Sequence, residues 1–191
     1  MGKSGNQDVS QDASQDINHD QVANQDARQD AERVRVVRWQ DPLVGWELGR
    51  RLSGIEYLRA IRRGDLPHGP IMLLLGFHFT EVDEGRVVFT LEPGEHLYNP
   101  IGVVHGGAAA TLLDSAMACA IQTLAPAGVG YTTLELKVNY VRPLLTTTGP
   151  VRAEGKVIHA GKRIATAEGR VTDASGKLYA HGTTTCMYIT P

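Results

Sequence analysis

The 191-residue chain has only two cysteines, Cys119 and Cys186, and neither stands in a CxxC pair or a Cys/His spacing. This argues against a disulfide-stapled scaffold and a thiolate metal site, and for two buried thiols in a reducing, cytoplasmic setting. A surplus of charge is missing too. The formal net charge is -2, which gives nucleic acid or an anionic membrane no general electrostatic reason to bind. Residues 1–32 lack the apolar stretch of a signal peptide, so none is expected. Nor is there an uninterrupted membrane span. Residues 106–125 come nearest, but Asp114, Gln122 and three hydroxyl residues break them up and amphipathic runs follow, so they read as a buried helix of a water-soluble domain.

What the chain does have is 42% hydrophobic residues, enough for one domain with a real core and short of what two usually need. Its composition changes once. Gln-Asp pairs recur at 7–8, 11–12, 15–16, 25–26 and 29–30, and up to Glu32 seven acids stand against two bases with few residues able to join a core. Residues 1–40 are therefore read as a disordered acidic tail and 41–191 as the folded domain. Aspartates four apart repel on a helix face, and nothing apolar offsets the cost of nucleating one. Without the first 32 residues, seventeen basic residues face fourteen acidic ones, about +3 by formal count.

Within the domain, Trp46–Arg63 has apolar residues at Leu48, Leu52, Ile55, Leu58 and Ile61, which predicts one amphipathic helix ended by Gly64 and Pro67. "IMLLLGFHFTEV" and "GRVVFTLEP" read as two strands joined at Asp83-Glu84-Gly85. A long helix follows, roughly Gly106–Ala125. From Thr132 come four more β-rich runs, with breaks at Gly149-Pro150, Gly161 and Ser175-Gly176. A mostly antiparallel sheet beside one nearly all-apolar helix predicts an α+β fold in which the sheet curls around that helix.

The long helix also poses the chemical question. In "NPIGVVHGGAAATLLDSAMACAI", residues 99–121, Asp114 stands among Leu112, Leu113, Ala116, Met117 and Ala118. A lone carboxylate in apolar surroundings is costly unless paired or hydrogen-bonded; one so placed can activate water or attack a carbonyl itself. At the helix entrance His105 precedes Gly106 and Gly107. Free N–H groups and the positive dipole end suit an oxygen on which negative charge develops, and two residues without side chains let a carbonyl come close. A histidine just ahead of a helix often hydrogen-bonds the backbone, which gives His105 an orienting role. Arg142, Lys162 and Arg163 carry the charges that suit phosphates. His159, His181 and the remaining aromatics are assigned to core or surface.

From about Gly64 onward the chain resembles the PaaI-type acyl-CoA thioesterases of the hotdog-fold superfamily: "NPIGVVHGG", an acid nine residues after His105, "VNYVRP" and "HAGKR" come in that family's order. The resemblance implies a hotdog fold, a curved antiparallel sheet wrapped around a long central helix, here with an N-terminal helix. It implies hydrolysis of an acyl-CoA substrate without metal or bound cofactor, by a homodimer commonly paired into a homotetramer. In the family's terms Asp114 is base or nucleophile, the Gly106 amide polarises the carbonyl, and Asn99 supplies a side-chain amide near the thioester or its water. A hydroxyl of Thr133, preferred over Thr132, positions the water. Gly107, Thr132, Arg142, Lys162 and Arg163 fall among the substrate contacts, the last three toward the phosphates of coenzyme A. Two alternative readings are a hydratase or dehydratase of acyl thioesters, which would want His105 in a catalytic role, and a non-catalytic acyl-CoA-binding protein, which would normally bring a DNA-binding module.

One helix can hardly hold such a site alone. Gly106 and Asp114 are eight residues apart, roughly 12 Å along the axis at 1.5 Å per residue, too far to serve one carbonyl. Two antiparallel copies in a two-fold dimer set each N-terminus beside the other's middle, so two shared active sites are expected. The tail has no part in this. Deleting residues 1–32 is expected to leave Tm and turnover almost unchanged in a melting scan and a CoA-release assay; a large fall in either would mean that the tail docks.

Overall fold

The computed structural model of the protein describes residues 32–189; the Gln-Asp repeats assigned to the tail lie outside them. Residues 32–36 carry no helix or strand, and everything below belongs to the unit that begins at Val37. It opens with three short helices, α1 (Pro42–Gly49), α2 (Gly54–Arg63) and α3 (Pro70–Leu75). The single helix expected over Trp46–Arg63 is thus two. Ser53 starts a new helix by donating from its N–H and Oγ to the Glu56 carboxylate at 3.0 and 2.6 Å, a local bond that competes with continuing the old one. The break also seats α2. Gly54 N donates to Ala125 O at 2.9 Å, and a Cβ on Gly54 would stand 1.7 Å from the Gln122 carbonyl oxygen.

The strand expected across "IMLLL" is likewise a helix. Pro70 begins α3, Gly76 ends it at φ 84, and the strand starts only at Phe77. Proline at a helix start and a left-handed glycine at its end outweigh the apolar run between them. The long helix, α4, runs from Gly106 to Gln122 and stops short of the expected Ala125, where Thr123 Oγ1 bonds Ala120 O at 2.6 Å and Pro126 follows two residues after Leu124.

Six strands make one sheet: β1 (Phe77–Asp83), β2 (Arg86–Leu91), β3 (Gly130–Tyr140), β4 (Val151–Ala160), β5 (Ile164–Asp173) and β6 (Leu178–Ile189). Their order is β1-β2-β4-β5-β6-β3, and every neighbouring pair is antiparallel. α4 touches all six, so the sheet wraps the helix as the resemblance implied. Leu112, Leu113, Met117 and Ile121 are all but sealed from solvent. Two glycines in register, Gly155 and Gly169, let the helix lie directly on β4 and β5. A Cβ would stand 2.2 Å from Ala116 O at the first and 2.8 Å from Met117 Cγ at the second.

Because backbone rather than a flexible side chain fills the space over Gly155, Gly155→Ala must push α4 off the sheet. Overpacking of this kind costs about 1–3 kcal/mol, and a domain of this size loses roughly 2–4 °C per kcal/mol. A fall in Tm of roughly 2–12 °C is expected in a thermal melt, whereas an unchanged Tm would show that the helix has room there.

Candidate active site

Asp114 sits half-buried in the third turn of α4, and Thr133 Oγ1 donates to its Oδ1 at 2.9 Å. The meeting depends on an irregularity in β3. Thr133 pairs with Cys186 and Glu135 with Thr185, which leaves Leu134 as an extra residue. Such a bulge bends a strand and re-aims the side chains beside it. Buried Thr184 pins it by donating from Oγ1 to Glu135 O at 2.7 Å. Successive strand residues face opposite sides, so of the two threonines it is Thr133, and not Thr132, that reaches the acid.

Three hydrogen bonds hold the helix entrance. Gly107 N donates to His105 Nδ1 at 2.8 Å, Ala108 N to His105 O at 2.9 Å, and Tyr140 Oη to Gly106 O at 2.9 Å. The peptide groups on either side of Gly106 are thereby fixed, and the Gly106 N–H, first in the helix, has no helical carbonyl ahead of it. His105 caps the helix through Nδ1, so its proton lies on Nε2. Gly107, expected among the substrate contacts, has its amide committed to that cap. Asn99 Oδ1 accepts from Ile101 N and Val103 N at 3.1 and 3.3 Å, which ties up its oxygen in a turn and leaves its NH₂ outside those bonds.

Asn99, Gly106, Tyr140 and Arg142 share the lining of a cavity of about 340 Å³, which Asp114 and Thr133 do not line. Arg142 is exposed and donates to Leu178 O at 2.6 Å. Lys162 and Arg163 are exposed in the β4–β5 turn. Arg142 N bonds Tyr179 O near the start of β6, whereas Ile164 pairs with Met187 near its end. The three bases therefore stand at opposite ends of the sheet, roughly 25 Å apart at the usual strand rise.

A larger cavity, about 990 Å³, lies farther along α4. Trp46, Tyr57, Leu58 and Met72 wall it from the N-terminal helices; Cys119, Gln122 and Tyr131 wall it from α4 and β3. Tyr131 stands two residues before Thr133 and shares its face of the strand. Burial pushes the Cys119 thiol up to about 12 and the Tyr131 phenol well above its ordinary range, and the Asp114 charge adds to both. Cys186 is raised as well, chiefly by burial. Both cysteines are free and buried, and neither is a thiolate nucleophile at neutral pH. Among the described residues no group of three or more His, Cys, Asp or Glu side chains could hold a metal, and no helix is long and apolar enough to cross a membrane.

Sequence reasoning missed Tyr140, Tyr131 and Gln122. Tyr140 lies in the quoted "VNYVRP", but its residue type alone places it with the other aromatics in core or surface. Its hydroxyl on an exposed strand end was the available signal. Gln122 was read only as an interruption of an apolar run.

Residues 101–180 match the sequence profile of the Thioesterase superfamily. Over 105 residues the chain is 30% identical to a 1,4-dihydroxy-2-naphthoyl-CoA hydrolase of Listeria monocytogenes, a span that covers 54% of this chain and 83% of that one. Among solved structures, a conserved protein of Pseudomonas aeruginosa is 32% identical with a TM-score of 0.60, covering 64% of this chain and 95% of its own. The E. coli PaaI protein of the phenylacetic acid degradation operon shares the fold at 22% identity and a TM-score of 0.61, covering 72% and 96%. Profile, identity and fold agree, and the chain belongs to the Thioesterase superfamily, as a PaaI-type thioester hydrolase with the hotdog fold.

Proposed function

We propose that the protein hydrolyses an acyl-CoA thioester to the free acid and coenzyme A, at two sites shared across a two-fold dimer. The observation that carries this reading is a separation. Asp114 and Thr133 are bonded to each other at the middle of α4, whereas Asn99 and Gly106 line a cavity at its start that neither Asp114 nor Thr133 lines, roughly 12 Å away along the axis. A second copy supplies the missing half. β3 is one of the two outer strands of the sheet, eleven residues long, with Leu134, Tyr140 and Val141 exposed on or just past it, and such an edge is a template for another strand. Antiparallel pairing of β3 with its copy turns the two α4 helices antiparallel and brings the partner's Gly106 beside Asp114. The same operation carries Arg142 of one chain to the end of the sheet where Lys162 and Arg163 of the other stand, a basic cluster suited to the phosphates of coenzyme A.

In each site water attacks the thioester carbonyl carbon while Asp114, held by Thr133, takes its proton. The oxyanion meets the Gly106 N–H of the other chain, the intermediate collapses, the C–S bond breaks, and the sulfur leaves as thiol with that proton. If Asp114 attacks first, it forms a mixed anhydride that water then cleaves. The Thr133 bond to Oδ1 leaves Oδ2 for either role. The Listeria relative, named as an acyl-CoA hydrolase, supports coenzyme A as the carrier.

Replacing Asp114 with Asn is expected to keep the oligomer and substrate binding but to lower kcat by about 10²–10⁴-fold, read as CoA release; a loss of only a few-fold removes Asp114 from the mechanism. Co-expression of Asp114→Asn and Asn99→Ala chains tests the sharing. Each mixed dimer holds one wholly wild-type site, so activity should return, and verified mixed dimers as inactive as both parents would overturn the shared site.

A further inference from the structure

We infer that Tyr140 is a positioning residue that aims the Gly106 N–H at the thioester oxygen. The inference rests on the thioesterase reading and adds to it a side chain from the far end of β3. Gly106 and Gly107 open α4, and glycine is the residue whose backbone torsions are least restrained. The first N–H of a helix has no carbonyl ahead of it to hold its direction. A donor for a developing oxyanion is effective only when that direction is set before the charge forms. Three bonds set it here. His105 O accepts from Ala108 N at 2.9 Å, Gly107 N donates to His105 Nδ1 at 2.8 Å, and Tyr140 Oη donates to Gly106 O at 2.9 Å. The first two close within the same turn, whereas the third ties that turn to the sheet.

The frame behind Tyr140 is rigid. Tyr140 ends β3 paired with Ala180 of β6, and the N–H groups of Val141 and Arg142 both donate to Tyr179 O, at 2.8 and 3.1 Å. Val104 N donates to Leu144 O at 2.9 Å, so the approach to α4 and the chain just past Tyr140 are joined independently of the hydroxyl. The ring also occupies the open side of Gly106. A Cβ there would stand 3.1 Å from Tyr140 Cζ and 3.2 Å from its Oη. Burial does not explain the tyrosine, because Tyr140 is 56% exposed. With Asn99 and Gly106 it lines one cavity. A carbonyl oxygen only accepts, so the hydroxyl proton is committed to Gly106 O. Tyr140 therefore acts on the reaction through the Gly106 peptide and not as an acid.

Tyr140→Phe keeps the ring and removes the bond. With the acyl-CoA that the wild-type protein hydrolyses fastest in a panel, kcat is expected to fall about tenfold. That is less than the roughly 10²–10³-fold loss of a whole oxyanion donor and fits a donor that is present but poorly aimed. KM should stay within about twofold, and kcat/KM should drop at every pH with the acidic limb of its profile unmoved, because Asp114 keeps its own partner Thr133. In nuclear magnetic resonance spectra of glycine-labelled protein, the Gly106 and Gly107 amide signals should shift and exchange faster with solvent. A kcat within about twofold of wild type, a loss carried by KM, a displaced acidic limb or unmoved amide signals would each overturn the inference. So would a large joint fall in Tm and kcat, which marks a merely structural role. If the wild-type protein releases CoA from no acyl-CoA, the thioesterase reading fails, and the amide signals still decide whether Tyr140 holds the turn.

Discussion

Burial of α4 is the constraint from which the architecture follows. Leu112, Leu113, Met117 and Ile121 span about half the circumference of one helix at roughly 100° per residue, Ala118 stands on the other side, and all are sealed or nearly so. Each of the four large side chains contributes about 1.5–3 kcal/mol when fully buried, so on the order of 10 kcal/mol of gross stabilisation is available only if every side of the helix is covered. A flat sheet covers one side. Six strands bent around the helix, with Gly155 and Gly169 removing the side chains that would hold it away, cover nearly all of it.

A helix wrapped in this way has few places to keep an acid. Asp114 is half-buried at the seam between α4 and β3, one of the two edge strands at which the wrapping ends. The bulge at Leu134 turns Thr133 toward it, and Thr184, itself buried, satisfies the carbonyl that the irregularity frees. Strand edge, bulge and carboxylate are thus parts of one arrangement. The seam meets the helix's demand for cover from the inside and leaves a strand edge and a half-buried carboxylate on its outer side.

The periodic and apolar patterns made much of this legible. The wrapped helix and the last four strands could be read because each depends on residues close in sequence. The N-terminal helices could not be placed as well. Ser53 reads as an ordinary member of an amphipathic run until Glu56 is seen to cap it, and "IMLLL" is apolar enough for either a strand or a helix until Pro70 and Gly76 fix its ends. The preference for Thr133 over Thr132 came from resemblance alone, whereas the structure rests it on a register shift that no local pattern announces. Gln122 and Tyr140 were missed for the same reason: their partners, Val129 and Gly106, become neighbours only after the chain has folded.

The two cavities draw on different stretches of chain. The smaller one is built wholly from residues 99–180, whereas α1, α2 and α3 supply one whole wall of the larger. The superfamily profile begins at residue 101 and so leaves that wall out. Mutations in residues 42–75 can therefore reshape the chamber while the bond between Asp114 and Thr133 stays as it is. The wall and the bonded Asp114–Thr133 pair are separable parts of the chain: exchanging the N-terminal helices for those of another protein would replace the wall and leave the acid where it is.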